Sequence, residues 1–238
     1  MAGTFFEMRT LGIVGGLGPE STIDYYRSII ELYRARNNDG SYPEFVINSV
    51  DFKKGLGFVQ RNEVENLVRM IAEAIEKLAR AGADFGLISA NTPHLAFDQI
   101  SARSAIPLIS IVEATCSEVK LRGLKRVALL GTNFTMTGDF YRKVFLREAI
   151  ELVVPDSNDR EYIHDKYLNE LVPGIFLPET RAGLLKIIDR MKSKSDIDAV
   201  ILAGTELPLI LREPAHNNVP FLDTTKIHCQ AAVNEMLS

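Results

Sequence analysis

The sequence contains little cysteine, and its few histidines do not stand in metal-binding patterns. Its 238 residues include two cysteines, Cys116 and Cys229, and four histidines. Two cysteines are too few for a disulfide framework, and their spacing to the histidines matches no set of metal ligands. We therefore expect neither a secreted, disulfide-bonded protein nor a structural zinc site.

Long apolar runs and an excess of basic residues are also lacking. No apolar run approaches the ~18 residues of a membrane span, and the opening MAGTFFEMRT lacks the pattern of a targeting segment. The formal net charge is −4, with acidic and basic residues interspersed. This distribution provides no basic surface for nucleic acid and no polybasic segment for a membrane. We predict a cytoplasmic protein that binds a small molecule, with no nucleic-acid and no membrane partner.

The sequence does contain a regular alternation of short apolar runs and longer helical patterns. LGIVGG, EFVINSV and DFGLISA are typical of buried strands, whereas STIDYYRSIIELYRAR and VENLVRMIAEAIEKLARAG are typical of helices. The second half shows the same order from KRVALLG to DAVILAG. This alternation indicates βαβ units and therefore an α/β fold with mostly parallel sheets.

An internal repeat divides the chain into two similar units. GADFGLISANTPHLAF (82–97) aligns with DIDAVILAGTELPLIL (196–211), which pairs Ala90 with Gly204. A similar stretch follows each segment and ends at Cys116 or Cys229, so both cysteines are predicted to be core residues. We predict one domain of residues 1–112 plus 219–238 and a second of residues 113–218. Because open parallel sheets bind ligands at the carboxyl ends of their strands, the site should lie between the domains.

The loop GGLGPES (15–21) follows the first strand and begins a helix. Its amides could hold an anion at the helix N-terminus, or it could be a tight turn capped by Ser21 or Thr22. A dinucleotide fingerprint would need a third glycine where Ser21 stands and an acidic residue at the end of the next strand, where the chain reads INSVDF. We therefore disfavour a nucleotide.

Short polar side chains follow a strand in each half of the chain. Asn91 and Thr92 follow DFGLISA, and Thr132 and Thr135 follow KRVALLG. Two interpretations stay open: these side chains cap helices, or they converge on the carboxylate of a ligand.

Ionisable candidates are fewer. His94 could exchange a proton with a ligand, or it could bond to the backbone at a helix start. Glu206 and Asp223 follow strands of the second half and are candidate general bases. Glu206 could equally satisfy a helix N-terminus.

Four segments together resemble the motifs of a known family. LGIVGGLGPEST, SANTPH, LLGTNFTM and LAGTELPLIL are similar to successive motifs of the aspartate/glutamate racemases, the cofactor-independent amino-acid racemases. The resemblance runs from about Leu11 to the C-terminus. It implies two Rossmann-like domains related by a pseudo-twofold axis, a substrate between them, no cofactor and a homodimer. By matching motif positions, it implies that the substrate is held by Leu17, Gly18, Ser49, Asn91, Thr92, Thr132, Thr135 and Thr205.

The resemblance fails at the two positions that would carry the reaction. It implies one cysteine at position 90 and one at 204, acting from opposite faces of the substrate α-carbon, yet the residues are Ala90 and Gly204. Stereochemical inversion needs an ionisable group on each face. Ser89 is expected to point to the opposite side of its strand from Ala90, so it does not replace the thiol.

Two functions of different classes therefore stay open. The first is an isomerase of this family that acts on a small or acidic amino acid, with proton transfer moved to His94, Glu206, Asp223 or a bound water. The second is a non-catalytic protein that binds an amino acid or another carboxylate and has lost turnover. A carbon–carbon lyase or cis–trans isomerase ranks last, because such relatives normally retain one of the two cysteines.

Overall fold

A computed structural model describes residues 8–37 and 39–238. The strands are β1 Leu11–Gly15, β2 Phe45–Ser49, β3 Phe85–Ile88, β4 Leu108–Ile109, β5 Arg126–Gly131, β6 Glu151–Val153, β7 Ala199–Ala203, β8 Ala215–His216 and β9 Val219–Asp223. The helices are α1 Pro19–Arg36, α2 Phe52–Gln60, α3 Val64–Arg80, α4 Phe97–Ala102, α5 Ile111–Leu121, α6 Asn133–Thr137, α7 Asp139–Arg147, α8 Ser157–Lys166, α9 Pro178–Ser195, α10 Leu207–Ile210 and α11 Thr224–Met236. Within the described ranges, no helix combines the length and the apolar content that a membrane span needs.

Two sheets with the same strand order form the framework. The first has the order β2-β1-β3-β4, and all its pairs are parallel. The second has the order β6-β5-β7-β9, also parallel, and β8 is added antiparallel at its edge. The two segments of the internal repeat contain β3 and β7, which hold equivalent places in the two sheets. The predicted α/β class with two mostly parallel sheets is confirmed.

The central strands are continuous apolar runs because helices cover both faces of each sheet. β1 and β7 are buried over their whole length, which is typical of strands in parallel sheets. The covering helices are apolar on one side only: in α3, Leu67, Ile71 and Ile75 are buried at the spacing of successive helical turns.

Each sheet is covered in part by a helix that follows the last parallel strand of the other sheet. α5 follows β4 of the first sheet, yet Val112 and Cys116 belong to a buried cluster with Leu129 of the second sheet. α11 follows β9 of the second sheet, yet Cys229 lies in a buried cluster with Ile13 of the first sheet. The two sheets therefore exchange helices, and both cysteines are core residues, as the sequence predicts.

This exchange changes the expected domain boundary at residue 219. β9 pairs with β7 through Val200 and Phe221, so it belongs to the second sheet. The expectation placed residues 219–238 in the first domain, but only α11, from Thr224 onward, packs there. The strand stays with the second sheet because its backbone hydrogen bonds are made with β7.

His94 fixes the turn between β4 and α5. Its Nδ1 donates to the carbonyl oxygen of Ala90 at 3.0 Å, and its Nε2 accepts from the amide of Ile111 at 3.2 Å. One ring nitrogen donates and the other accepts, so the imidazole is neutral. The pKa of His94 is lowered to about 3, chiefly by burial and to a smaller extent by the neighbouring His228.

His228 holds the same turn from α11. Its Nε2 donates to the carbonyl oxygen of Ile109 at 2.9 Å, and its Nδ1 accepts from the hydroxyl of Tyr25 at 2.8 Å. Burial lowers the pKa of His228 to about 4. Two neutral histidines thus tie the end of the first sheet to an exchanged helix.

These histidines predict a loss of stability in acid. Their ordinary pKa of 6.5 falls to about 3 and about 4 on folding, so below pH 6.5 the unfolded chain binds protons that the folded chain does not. The stabilisation is complete above pH 6.5 and is lost as the pH falls toward the folded-state values, by about 1.4 kcal/mol per pH unit for each histidine. Urea unfolding at pH 7, 6 and 5 measures this slope.

The slope should be smaller in His94→Gln and in His228→Gln, by the contribution of one histidine each. His216→Gln is the matched control, because His216 lies outside this junction and bonds to Asp189 near the surface. An unchanged slope in both junction variants would contradict the assignment.

Candidate functional site

A cleft lies where the carboxyl ends of the parallel strands of both sheets meet. The polar residues that line it follow strands or a helix. Asn91 and Thr92 follow β3, Thr132 follows β5, Thr205 follows β7, and Tyr167 follows α8. The apolar walls include Leu17, Phe52, Leu56, Val59, Phe134, Leu168 and Val172. The cleft is narrow in this structure, with about 50 Å³ accessible to the centres of water-sized spheres.

Three threonine hydroxyls meet where the two sheets face each other: Thr92 and Thr132 line the cleft, and Thr135 is fully buried beside them. Thr92 Oγ1 lies 3.0 Å from Thr132 Oγ1 and 3.4 Å from Thr135 Oγ1, and the last two are 3.1 Å apart. Thr132 also caps α6 by accepting from the amide of Thr135 at 3.2 Å. Thr132 therefore caps a helix and also belongs to the cluster of hydroxyls, so the two interpretations do not exclude each other at this residue. Each hydroxyl carries one rotatable donor, so the cluster can reorient toward a carboxylate.

Asn91 is held in one orientation by a buried network. Its Oδ1 accepts from the hydroxyl of Tyr141 at 2.6 Å, and its Nδ2 donates to Thr224 Oγ1 at 3.2 Å. Thr224 in turn donates to the carbonyl oxygen of Leu202 at 2.8 Å. The Asn91 amide has a second N–H, which it can offer to a ligand.

The two positions that the resemblance links to proton transfer differ from each other. Ala90 lines the cleft, and its methyl group belongs to the apolar cluster of the first domain. At Gly204, a Cβ would overlap the ring of Tyr167 and would lie 3.2 Å from the Tyr167 hydroxyl oxygen. Tyr167 therefore fills the space that a side chain at position 204 would need.

Tyr167 reaches this place from a wide turn that extends α8. The turn covers Tyr167–Leu171, and the amide of Val172 bonds to the carbonyl oxygen of Tyr167 at 3.0 Å, five residues back. Such π-type turns interrupt regular helices and occur often at functional sites.

The hydroxyl of Tyr167 donates to Glu206 Oε2. Thr205 Oγ1 donates to the same oxygen at 3.0 Å. Glu206 is 1% exposed, and its Oε1 has no hydrogen-bond partner among the described residues. Burial raises the pKa of the Glu206 carboxyl and raises that of the Tyr167 phenol well above its ordinary value.

Glu206 does not satisfy the helix that follows it. It precedes α10 without making a side-chain hydrogen bond to that helix. Its Oε1 instead lies against Gly18, where a Cβ would overlap it. The glycine thus makes room for the carboxylate beside the start of α1.

The other predicted site residues lie elsewhere. Both ring nitrogens of His94 are committed to the backbone at the β4–α5 turn. Asp223 caps α11 by accepting from the amide of Lys226 at 3.1 Å, and burial raises its pKa. Ser49 is exposed, and neither Ser49 nor Gly18 lines the cleft; Gly18 lies against Glu206 Oε1 instead. The described part of the chain contains no group of three or more His, Cys, Asp or Glu side chains that could bind a metal ion.

Tyr167 is the functional candidate that the sequence analysis did not identify. It lies 37 residues before Gly204, in a segment whose apolar pattern continues that of a helix. The one available signal was Gly204 itself, because a glycine at the end of a buried strand often marks a close approach by another group.

The fold and the cleft define an α/β protein with two mostly parallel sheets and a cleft at the carboxyl ends of their strands. The chain belongs to the Asp/Glu/hydantoin racemase family, whose sequence pattern matches residues 14–232. This match confirms the family resemblance that the motifs indicate.

Individual relatives agree with this assignment. The broad-specificity amino-acid racemase RacX of Bacillus subtilis is 26% identical over 96% of this chain and 98% of its own length. A Yersinia pestis crystal structure assigned to the Asp/Glu racemases is 31% identical, with a TM-score of 0.86 over 97% of this chain and all of its own. An aspartate racemase homologue from Pyrococcus horikoshii is 34% identical, with a TM-score of 0.81 over the same shares of the two chains.

The overlap at Gly204 predicts a coupled pair of substitutions. Gly204→Cys should lower the free energy of unfolding by about 1–3 kcal/mol, because its Cβ meets the Tyr167 ring. Tyr167→Ala removes that overlap, so the double variant should be more stable than the sum of the single changes predicts. Urea unfolding of the four proteins measures the coupling.

Ala90→Cys is the matched control, because it adds a thiol to the other face of the cleft, where the side chain meets open volume. It should cost less than Gly204→Cys. Strictly additive effects of Gly204→Cys and Tyr167→Ala would show that the ring does not occupy this space.

Proposed function

We propose that the cleft binds a small amino acid and does not invert it by a two-base reaction. The observation that carries this proposal is the asymmetry of the cleft: the joined threonine hydroxyls suit a carboxylate, while Tyr167, the ionisable residue among the described lining residues, stands on the Gly204 face. The relative from Bacillus subtilis is described as a broad-specificity amino-acid racemase, which supports an amino acid as the ligand class.

The walls favour a small or apolar side chain on the ligand. The lining residues that the structure describes include no lysine, arginine or histidine. A second carboxylate on the ligand would lose its hydration against Phe52, Leu56 and Phe134 without gaining a cation. Of the small and acidic amino acids that the sequence suggested, we therefore favour the small ones.

Two-base inversion lacks a group on the Ala90 face. His94 is neutral and committed at both nitrogens. The thiols give no substitute, because burial raises the pKa of Cys116 to about 11 and that of Cys229 well above its ordinary value. Both thiols also lie in the helix clusters rather than in the cleft.

An isomerase with a displaced base is the second candidate. Family membership and the buried Glu206 beside the cleft favour it. The homodimer and the cytoplasmic location that the sequence suggests stay predictions.

Calorimetric titration with matched L- and D-amino acids of small, apolar and acidic side chains tests the proposal. We expect saturable binding that is strongest for small or apolar side chains. Chiral chromatography after prolonged incubation should show each enantiomer unchanged. Conversion of one enantiomer into the other would favour the isomerase, and the absence of binding throughout the panel would overturn the proposal.

Removing one hydroxyl of the threonine cluster should weaken binding. Thr92→Val keeps the shape but deletes a donor to the carboxylate, so affinity should fall by about 1–3 kcal/mol. Thr137→Val is the matched control, because its hydroxyl bonds to the backbone of Asn133 at 2.7 Å near the surface. Equal affinities of the two variants for the best ligand of the panel would contradict the role of the cluster.

A further inference from the structure

We propose that Tyr167, acting with Glu206, transfers a proton to and from the α-carbon of the bound amino acid on the Gly204 face alone. The protein would then exchange the α-hydrogen of one enantiomer with solvent and keep its configuration. This inference rests on the proposed function, because it needs an amino acid in the cleft.

The position of the Tyr167 hydroxyl carries the proposal. It lies 3.2 Å from the point where a Cβ at position 204 would stand, and Tyr167 lines the cleft together with Thr205. A phenol group therefore takes the place of a side chain at the end of β7. Ala90 lines the cleft at the equivalent end of β3.

Glu206 gives the phenol a partner that can take its proton. Tyr167 donates to Oε2 of a carboxylate that is 1% exposed and whose Oε1 has no partner in the described structure. A buried carboxylate short of hydrogen bonds is costly, so protonation relieves it. Burial correspondingly raises the pKa of Glu206.

The proton balance closes within these groups. The C–H bond of the α-carbon breaks as its proton passes to the Tyr167 oxygen, and the Tyr167 proton passes to Glu206 Oε2. The electron pair of that bond enters the ligand carboxylate, whose developing negative charge the threonine hydroxyls can stabilise. Tyr167 remains neutral, and Glu206 becomes the carboxylic acid.

Return of the proton runs along the same path. Before the reverse step, the hydrogens of Tyr167 and Glu206 both exchange with solvent. Tyr167 then gives a solvent-derived hydrogen to the α-carbon while Glu206 returns its proton to Tyr167, and the new hydrogen arrives on the face from which the first one left. The Ala90 methyl supplies no proton from the opposite face. Exchange therefore proceeds with retention of configuration.

The charge state of Glu206 sets the pH dependence. The groups that act on it are the hydroxyls of Tyr167 and Thr205 and, more weakly, the carboxylate of Glu20 on α1. Exchange needs Glu206 ionised, so its rate should rise with pH through the raised pKa of this carboxyl and then level off.

The test follows the α-proton signal by NMR in deuterated water, for each enantiomer of the amino acid that binds best in calorimetry. We expect the signal of one enantiomer to decay while chiral chromatography shows no inversion. Tyr167→Phe keeps the ring and removes the hydroxyl, so exchange should fall by about 100-fold or more, and much further than affinity. Glu206→Gln should also slow exchange and abolish the rise with pH, whereas Glu206→Asp should restore part of both.

Tyr162→Phe is the matched control, since Tyr162 lies on α8 outside the cleft and its loss should leave exchange unchanged. Binding without exchange in the unmodified protein would overturn this inference and leave the proposed function intact, whereas absence of binding would overturn both. Exchange that survives in Tyr167→Phe would exclude Tyr167 as the group that transfers the proton. Inversion of the ligand would exclude proton transfer on one face alone. If Tyr167→Phe fails to fold, the pH profile of Glu206→Gln decides.

Discussion

The exchange of α5 and α11 between the two sheets is the constraint on which the cleft depends. Each helix follows a strand of one sheet and buries its apolar side on the other, around Cys116 and Cys229 respectively. Moving the sheets apart would expose both apolar sides to water at once. The threonines of the two domains therefore meet at hydrogen-bond distance, and Asn91 reaches Thr224 at the start of an exchanged helix.

The two halves of the chain share a framework but not a chemistry. Equivalent positions after β3 and β7 hold Ala90 and Gly204, and only the second is covered by an ionisable group, Tyr167. Holding a carboxylate needs donors from either domain, and these are present in both. Inverting an α-carbon needs a proton carrier on each face, so the proposal separates binding, for which both domains offer donors, from inversion, for which the Ala90 methyl offers no proton.

The alternation of apolar and helical segments was sufficient to predict the fold, because buried parallel strands and one-sided helices have distinct periods. The internal repeat indicated the cleft, because it placed the ends of β3 and β7 at equivalent positions in the two units. The sequence misplaced β9, because a repeated motif shows which strand is equivalent to which but not which sheet supplies its hydrogen bonds. It also missed Tyr167, because a wide helical turn brings that ring to a position that no local pattern marks. At Gly204 the sequence showed only a missing side chain, whereas the structure shows the group that fills its space.

Glu206 is difficult to explain as a structural residue alone. A buried carboxylate oxygen without a partner costs about 1–3 kcal/mol or more, and glutamine at the same place would accept from Tyr167 and Thr205 without carrying a charge. Gly18 lacks the Cβ that would overlap this oxygen, so a second residue accommodates the same group. Strained or unsatisfied groups persist where the surrounding packing can support them, and they concentrate at functional sites. In this chain Tyr167, Thr205 and Gly18 surround the acid, so residues from both halves of the chain hold an unsatisfied carboxylate oxygen beside the cleft.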